Sequence, residues 1–501
     1  MDYKKLQNGS DIRGVALEGI EGQHVNLTEK VCRDIGRGFA FWLKARTGKA
    51  SGVRVAVGRD SRLSGEMLSN WICDAMVSQG IHVTDFGMAS TPAMFMSTVT
   101  EGYCFDGSVM ITASHLPFNR NGFKFFTAQG GLESADIKQI LAYAADETVA
   151  SQERGTLQSG EFMDTYAKLL ADKIRQATGE DKPLEGFRIV VDAGNGAGGF
   201  YAEKVLKPLG ANTDGSRFLE PDGSFPNHIP NPEDKEAMES ITEAVRQTNA
   251  DLGIIFDTDV DRAGAVLSDG SELNRNRIIA MLAAILLREH PGTTIVTDSI
   301  TSTGLAKFIQ EKGGIHHRFK RGYRNVINES IRLNAQGQDS QLAIETSGHG
   351  ALKENYFLDD GAYLVTKLLI ELARGKKEGY TLESLIATLE EPAESAEFRM
   401  NIRLEEFKEY GQGVISDLTA YAQKQTGWEL APDNFEGVRV NLNAEHGNGW
   451  FLLRLSLHDP LLPLNIESNS NGGVKVIAGE LSQFLAQYQD LDTTPLLNFV
   501  K

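Results

Sequence analysis

The chain has 501 residues, 41% hydrophobic and 24% charged, and carries a formal net charge of -18. These are globular proportions that leave no reason for long disorder. The negative balance argues against a nucleic-acid backbone or an anionic membrane as the main partner, and an anionic small substrate would need a local basic pocket. At about 100 to 200 residues per domain, three or four domains are expected.

Three cysteines, Cys32, Cys73 and Cys104, form no CxxC pair and signal neither a disulfide framework nor a zinc site, so they are expected in the core. The first residues, MDYKKLQNGSDIRG, lack an apolar h-region. No uninterrupted apolar run approaches the roughly 18 residues of a membrane span. A soluble cytoplasmic protein is the expectation.

Asp11-Ile12-Arg13-Gly14 opens the chain as a short polar turn, in which Arg13 suits either a salt bridge or a phosphate contact. The periodicity then predicts a helix over 28–43 and a strand over 54–57. A loop Gly58-Arg59-Asp60-Ser61-Arg62-Leu63-Ser64-Gly65, an amphipathic helix over 66–79 and a strand over 81–84 follow. The same strand-loop-helix order recurs twice. A strand over 187–191 precedes the loop 192–199 and a helix to Leu209, and a strand over 293–297 precedes the loop 298–304 and a helix over 305–311. Three related α/β domains are the economical explanation.

Each unit is followed by a second apolar strand that empties into a polar loop: 109–112 before Ser114, 252–256 before Asp257, and 342–344 before Glu345. In open α/β sheets ligands sit beyond the carboxyl ends of strands, so the three loops are expected to face one cleft. From Glu391 onward a Pro- and Glu/Ala-rich linker is expected. Strands over 437–442 and 450–457 and a helix over 474–488 then predict a smaller α+β domain. The expected domains are 1–158, 159–265, 266–390 and 391–501.

The chemistry is concentrated in those loops. A serine where a buried strand breaks the surface, as at Ser114 with His115 beside it, is well placed to carry a phosphoryl group, although a bare Ser-His pair serves equally well as a turn. Asp257-Thr258-Asp259-Val260-Asp261-Arg262 sets three carboxylates on alternate positions that converge on one hard cation if the loop curls. A calcium loop of EF-hand type is excluded, because its sixth position would be Arg262 and its twelfth Ser268, and a strand precedes it. Magnesium, which uses few protein ligands, fits better; a solvated acidic turn is the alternative. Glu345-Thr346-Ser347-Gly348-His349 offers an acceptor, a hydroxyl and an imidazole suited to sugar hydroxyls, or a helix N-cap at Ser347. Arg454-Leu455-Ser456-Leu457-His458-Asp459-Pro460 supplies an arginine fork and a hydroxyl for a phosphate, unless Arg454 pairs with Asp459.

Taken in this order, the four loops resemble the α-D-phosphohexomutase superfamily, the phosphomannomutase and phosphoglucomutase enzymes, over essentially the whole chain. Asp11 to Gly14, Gly58-Arg59-Asp60-Ser61-Arg62 and Thr91-Pro92 also look like family features. The resemblance implies that Ser114 is the phosphoserine and that Asp257, Asp259 and Asp261 hold magnesium together with the Ser114 phosphate, which Arg262 contacts. It implies sugar recognition by Glu345, Ser347 and His349 and phosphate binding by Arg454 and Ser456, with His458 as a further donor. His115, Lys124, Arg13 and Lys320 match basic residues of binding or proton transfer. The family pattern is broken at Leu116, Thr258, Leu457, His458 and Asp459.

The implied reaction interconverts hexose 1-phosphate and hexose 6-phosphate of mannose or glucose through a bisphosphorylated intermediate, with glucose 1,6-bisphosphate as activator and a mobile fourth domain as clamp. The chain would act as a monomer or homodimer. A phosphoglucosamine mutase, or a noncatalytic phosphosugar-binding protein on the same scaffold, is the alternative.

Overall fold

The computed structural model describes residues 2–146, 154–432, 434–456 and 459–501, so that Leu457 and His458 lie outside the described residues. The chain forms two compact units, residues 1–278 with 347–384, and residues 279–346 with 385–501.

In the first unit, Asp11–Val15, Arg120–Thr127, Gly107–Ile111, Arg54–Arg59, His82–Met88 and Leu157–Ser159 lie side by side in that order. The last four run parallel, and Arg120–Thr127 is antiparallel to both of its neighbours. Gly107–Ile111 is buried along its whole length, which is why its sequence is continuously apolar rather than alternating. Helices Glu29–Thr47 and Gly65–Ser78 help to close the core, with Phe39, Trp42, Leu68, Ile72 and Met76 packed against Val55, Val57 and Val109. The first helix is fixed at both ends: Thr28 accepts the Val31 N–H, and Gly48 adopts the left-handed turn that stops it.

A second sheet in the same unit orders Glu272–Leu273, Ala263–Leu267, Leu252–Phe256 and Ile189–Asp192. Leu252–Phe256 is parallel to Ile189–Asp192 and antiparallel to Ala263–Leu267. The helix expected to run to Leu209 does so, as a wide π-type stretch, Tyr201–Leu206, followed by a tight 3-10 one, Lys207–Leu209. Pro208 has no N–H with which to continue an α-helical ladder. The helix Gly361–Glu378 also belongs to this unit and starts where Asp360 accepts the Tyr363 N–H.

The second unit holds a parallel set, Ile315–Arg318, Thr294–Thr297 and Ser340–Ile344. It also holds an antiparallel sheet ordered Glu394–Asn401, Leu461–Ser468, Gly449–Leu453, Val438–Leu442 and Trp428–Leu430. Helices Phe407–Ala422 and Gly473–Leu485 pack on that sheet through Val414, Leu418, Ile477 and Leu481. The expected linker after Glu391 is thus a strand along most of its length, paired residue for residue from Glu394↔Ser468 to Asn401↔Leu461. Cys32 and Cys73 are buried as expected, but Cys104 is exposed, on a turn with φ of 42°. Among the described residues no helix is long and apolar enough to cross a membrane.

One buried ion pair anchors the segment that carries Asn231. His228 directs Nε2 at Asp192 Oδ1, 3.0 Å away, and Nδ1 at the Ile229 carbonyl, 2.9 Å away. Both partners are acceptors, so both ring nitrogens donate and the ring is an imidazolium. Asp192 also accepts the Gly194 N–H and the Ser240 hydroxyl. Burial would push the imidazole down, but the bond and charge of Asp192 outweigh it and hold the pKa above the ordinary value. A raised pKa contributes stability that is complete below the unfolded value of about 6.5 and is lost as the pH climbs through the folded one. His228→Asn should therefore cost about 3 kcal/mol or more at pH ~6. The gap in Tm between the variant and the unaltered protein should narrow towards pH ~9, as thermal unfolding at the two pH values will read; a gap that widens with pH contradicts the assignment.

Candidate active site

Ser114 follows the strand Gly107–Ile111 and has a φ of 53°, a left-handed conformation that costs a residue with a Cβ about 1 to 2 kcal/mol. Its N–H is satisfied by Thr112 Oγ1 at 2.9 Å. Its hydroxyl donates to Asp257 Oδ2 at 3.1 Å and accepts from Arg262 Nη2 at 2.8 Å. The serine oxygen therefore lies between a carboxylate and a guanidinium, both at most 2% exposed.

Arg262 spends its donors on the same surroundings. Nε bonds to Asp257 Oδ2 at 3.1 Å, Nη1 to Asn231 Oδ1 at 3.0 Å, and Nη2 also reaches His115 Nδ1 at 2.7 Å. An arginine has no acceptor, so His115 Nδ1 must be the unprotonated nitrogen and Nε2 carries the ring proton. Burial and then the Arg262 charge push this imidazole down to about 3, in keeping with a neutral ring.

The loop after Leu252–Phe256 curls as the alternate spacing requires. Carboxylate oxygens of Asp257, Asp259 and Asp261 all lie within 4.8 Å of one another. The curl passes through Val260 at φ 68°, a costly conformation for a β-branched residue. It is held by the Gly361 N–H on the Val260 carbonyl at 3.1 Å. Gly361 has to be glycine, because a Cβ there would stand 2.5 Å from the Arg262 carbonyl carbon. Asp259 is fixed by Thr91, whose N–H donates to the Asp259 carbonyl at 2.8 Å and whose hydroxyl donates to Oδ2. Lys124, 5% exposed on Arg120–Thr127, donates to Asp259 Oδ2 at 3.1 Å and to Asp261 Oδ2.

Burial first, and then the charges of Asp261 and Asp259, push Asp257 well above the carboxylate range. Burial acts on Asp261 in the same sense, but Lys124, His349 and Arg262 overcome it and hold Asp261 low. Asp259 Oδ1 and Asp261 Oδ1 are buried acceptors with no hydrogen-bond partner among the described residues. Two orphaned oxygens in a convergent, all-oxygen set fit a hard divalent cation, since buried acceptors are otherwise satisfied.

The remaining residues of the first unit gather around this centre. Arg13 sits opposite Gly122 in the sheet and so shares a face with Lys124; it pairs with Asp11 at 2.9 Å. His349 Nδ1 lies 2.5 Å from Asp359 Oδ2 and 3.8 Å from Asp261 Oδ1. Burial alone would lower this imidazole, but the Asp359 and Asp261 charges hold it at about 9. Ser347 is buried two residues before His349, and the strand Gly350–Leu352 follows rather than a helix, so Ser347 is no N-cap.

In the second unit Glu345 is buried and accepts the Gly322 N–H at 2.6 Å, while Lys320 is exposed. Arg454 faces Glu436 at 3.6 Å and not Asp459, whose N–H is bonded to Ser456 Oγ at 3.2 Å. Glu436 in turn accepts the Ser299 hydroxyl and the Arg321 N–H, each at 2.9 Å. Burial and then the neighbouring Arg321 charge lower the Arg454 pKa, against the opposing pull of Glu436. His458 lies outside the described residues. Sequence reasoning assigned no part to Thr91, Asn231, Arg62, Asp359 or Glu436. Arg62 and Thr91 stood in segments already marked as family features, and that was the available signal.

Comparison with known proteins finds relatives along nearly the whole chain. Residues 4–150, 164–270 and 274–391 match the models for phosphoglucomutase/phosphomannomutase alpha/beta/alpha domains I, II and III. A phosphoglucomutase of Neisseria gonorrhoeae is 32% identical over 463 residues, covering 92% of this chain and 93% of the relative. A phosphomannomutase/phosphoglucomutase of Pseudomonas putida is 32% identical over 447 residues, covering 87% and 89%. The crystal structure of a phosphoglucomutase/phosphomannomutase family protein from Burkholderia thailandensis superposes with a TM-score of 0.78 at 28% identity, covering 97% of this chain and 98% of that one. With identity of this order running through nearly the full length of both partners, the chain belongs to the phosphoglucomutase/phosphomannomutase family of the α-D-phosphohexomutase superfamily and is a phosphohexomutase.

Proposed function

We propose that this phosphohexomutase interconverts the 1- and 6-phosphates of glucose, mannose or both, through a phosphorylated Ser114 and a bisphosphorylated sugar, with glucose 1,6-bisphosphate priming the serine. The observation that carries the reading is the setting of Ser114 Oγ between Asp257 Oδ2 and Arg262 Nη2, beside a convergent carboxylate triad. The names of the relatives, phosphoglucomutase and phosphomannomutase/phosphoglucomutase, support the two sugars.

In one half of the reaction the bond between Ser114 Oγ and phosphorus breaks as a sugar hydroxyl takes the phosphoryl group. In the other half Ser114 Oγ takes the phosphoryl group from the opposite end of the bisphosphate. Such transfers depend on in-line placement and charge neutralisation. Arg262, already bonded to the serine oxygen, follows the phosphoryl charge, and the Nε2–H of His115 is available to a phosphoryl oxygen. Asp259 and Asp261 hold Lys124 as an ammonium, the form that protonates a departing sugar oxygen; its amine takes the hydroxyl proton in the reverse sense. Asp257, Asp259 and Asp261 would hold Mg2+, which when bound supplies charge neutralisation to the phosphoryl oxygens. His349 with Ser347, and Glu345 with Lys320, are assigned to the sugar. Arg13, Arg454 and Ser456 are assigned to phosphate, and His458 is assigned there on sequence alone.

Phosphorus NMR with Mg2+, a trace of glucose 1,6-bisphosphate and, in turn, glucose, mannose and glucosamine 1-phosphates should show conversion of the first, the second or both to 6-phosphates, and none with Ser114→Ala. An active Ser114→Ala protein would overturn the reading, and preferential conversion of glucosamine 1-phosphate would replace the substrate. Thr91→Val should remove the hydroxyl bond that orients the Asp259 carboxylate and weaken Mg2+ or Mn2+ binding by about tenfold, as measured by calorimetric titration; unchanged affinity would contradict that positioning role.

A further inference from the structure

Arg62 lies in the loop between the strand Arg54–Arg59 and the helix Gly65–Ser78 and is 2% exposed. Its guanidinium reaches into the serine loop. Nη1 donates to the carbonyls of Pro117 at 2.9 Å and Arg120 at 3.0 Å, and Nη2 donates to those of Leu116 at 2.6 Å and of Ser114 itself. Four backbone acceptors within residues 114–120 therefore converge on one side chain. Nε is turned to Asp60 Oδ2, 3.5 Å away, and the Asp60 Oδ1 oxygen accepts the Arg62 N–H at 3.0 Å. The Phe225 ring stands 5.3 Å from the guanidinium carbon. Nη1 and Nη2 are both spent on backbone carbonyls, so this arginine, unlike Arg262, commits its fork to the loop and not to side chains of the reacting centre.

We propose that Arg62 is the positioning residue of the phosphoryl-carrying serine: by gathering the carbonyls of Ser114 itself and of Leu116, Pro117 and Arg120 after it, it holds the left-handed backbone that keeps Oγ between Asp257 and Arg262. The proposal rests on the reading of Ser114 given above. A planar guanidinium fork spans four acceptors, and a lysine ammonium is a single point with three donors that cannot. The two loops have a second tie, Asn121 Nδ2 to Ser64 Oγ at 2.8 Å, so their mutual placement does not rest on Arg62 alone. What Arg62 adds is the conformation of the peptide carrying the serine. A misplacement of about 1 Å at a reacting group costs on the order of a hundredfold in rate.

The test uses the full chain with Arg62→Lys and Arg62→Ala, hexose 1-phosphate turnover, and hydrogen exchange of the backbone. In both variants kcat should fall on the order of a hundredfold while KM stays within about threefold, and millimolar methylguanidinium should restore about a tenth or more of the lost rate to Arg62→Ala. Exchange at residues 114–120 should quicken in Arg62→Lys while the strand Gly107–Ile111 stays protected. A wild-type kcat in Arg62→Lys overturns the proposal, and so does a loss confined to KM, which would make Arg62 a substrate contact. If neither variant folds, the unaltered protein decides. The amides of Ser114, Leu116 and Arg120, bonded to Thr112 Oγ1 and to the carbonyls of Ala113 and Pro117, should exchange as slowly as the flanking strand, and rapid exchange would refute the clamp. Exchange reads the clamp whatever chemistry Ser114 performs, so a failure of the serine reading, seen as an active Ser114→Ala protein, stays distinct from a failure here.

Discussion

Three carboxylates on alternate residues of one buried turn repel one another and have lost their water, and the first unit is arranged around that charge. Beside the more distant His349, two cations within hydrogen-bonding reach meet it from separate parts of the chain: Lys124 from the first sheet and Arg262 from the end of the acidic turn itself. Neither would suffice alone, because removing one partner from a buried ion cluster leaves an uncompensated charge in a poor solvent. The cluster also ties the two sheets of the unit together, since Lys124 reaches Asp259 from the first, Thr91 reaches it from the start of the helix Thr91–Val99, and Gly361 holds Val260 from the start of a helix far along the chain. Specific geometry at Ser114 follows from this electrostatic demand, because the oxygen that is to carry a phosphoryl group is bonded to one carboxylate and one cation of the same cluster.

Where chemistry depends on local spacing, it was legible in the sequence. A buried strand leading to Ser114 and three aspartates at alternate positions before an arginine state their case in adjacent letters, and the strands 54–59 and 252–256 announce themselves by the apolar runs Val55 to Val57 and Ile254 to Phe256. The strand Glu394–Asn401 did not, because it is the outermost strand of its sheet, exposed along much of one face and built from Glu, Ser and Ala, residues that advertise a linker. Thr91 was invisible in its role because its partner Asp259 stands 168 residues away, and an ordinary helix-opening Thr-Pro looks the same with or without it. Cys104 was misplaced for a related reason: composition puts cysteine inside, and only the turn it occupies exposes it.

The second unit shows the same logic applied to anions. Glu436 bonds to Ser299 and to the Arg321 backbone while facing Arg454, and so fixes a guanidinium whose charge is otherwise opposed by its neighbour Arg321. Deeper in that unit Arg439 lies 3.6 Å over the Trp450 ring and donates to the Ser299 carbonyl at 2.7 Å. Glu467, which accepts from Trp450 Nε1, is pushed up to about 7 by burial against the opposing pull of Arg439. These interactions join the antiparallel sheet to the parallel one, so that the arginine offered to a phosphate is carried on a fixed frame within its unit.

Arginine is used in this protein in two opposite ways, and the difference is what makes the serine site work. Arg262 directs its fork at side chains that change during the reaction, the serine oxygen and the carboxylate beside it, so its charge is available to a moving phosphoryl group. Arg62 directs its fork at carbonyls that do not change, and its charge is balanced by buried Asp60, whose own pKa burial raises to about 6. A single arginine could not do both, because each donor turned to hold the backbone is one withdrawn from the phosphate, and a left-handed serine released from its backbone restraint would relax towards the ordinary regions. Asn231 completes the division. By taking Nη1 of Arg262, and being carried on the segment anchored by His228, it leaves Nη2 aimed at Ser114. The reactive geometry is thus set by residues that never touch the phosphoryl group, and for that reason their roles had to be read from the folded chain.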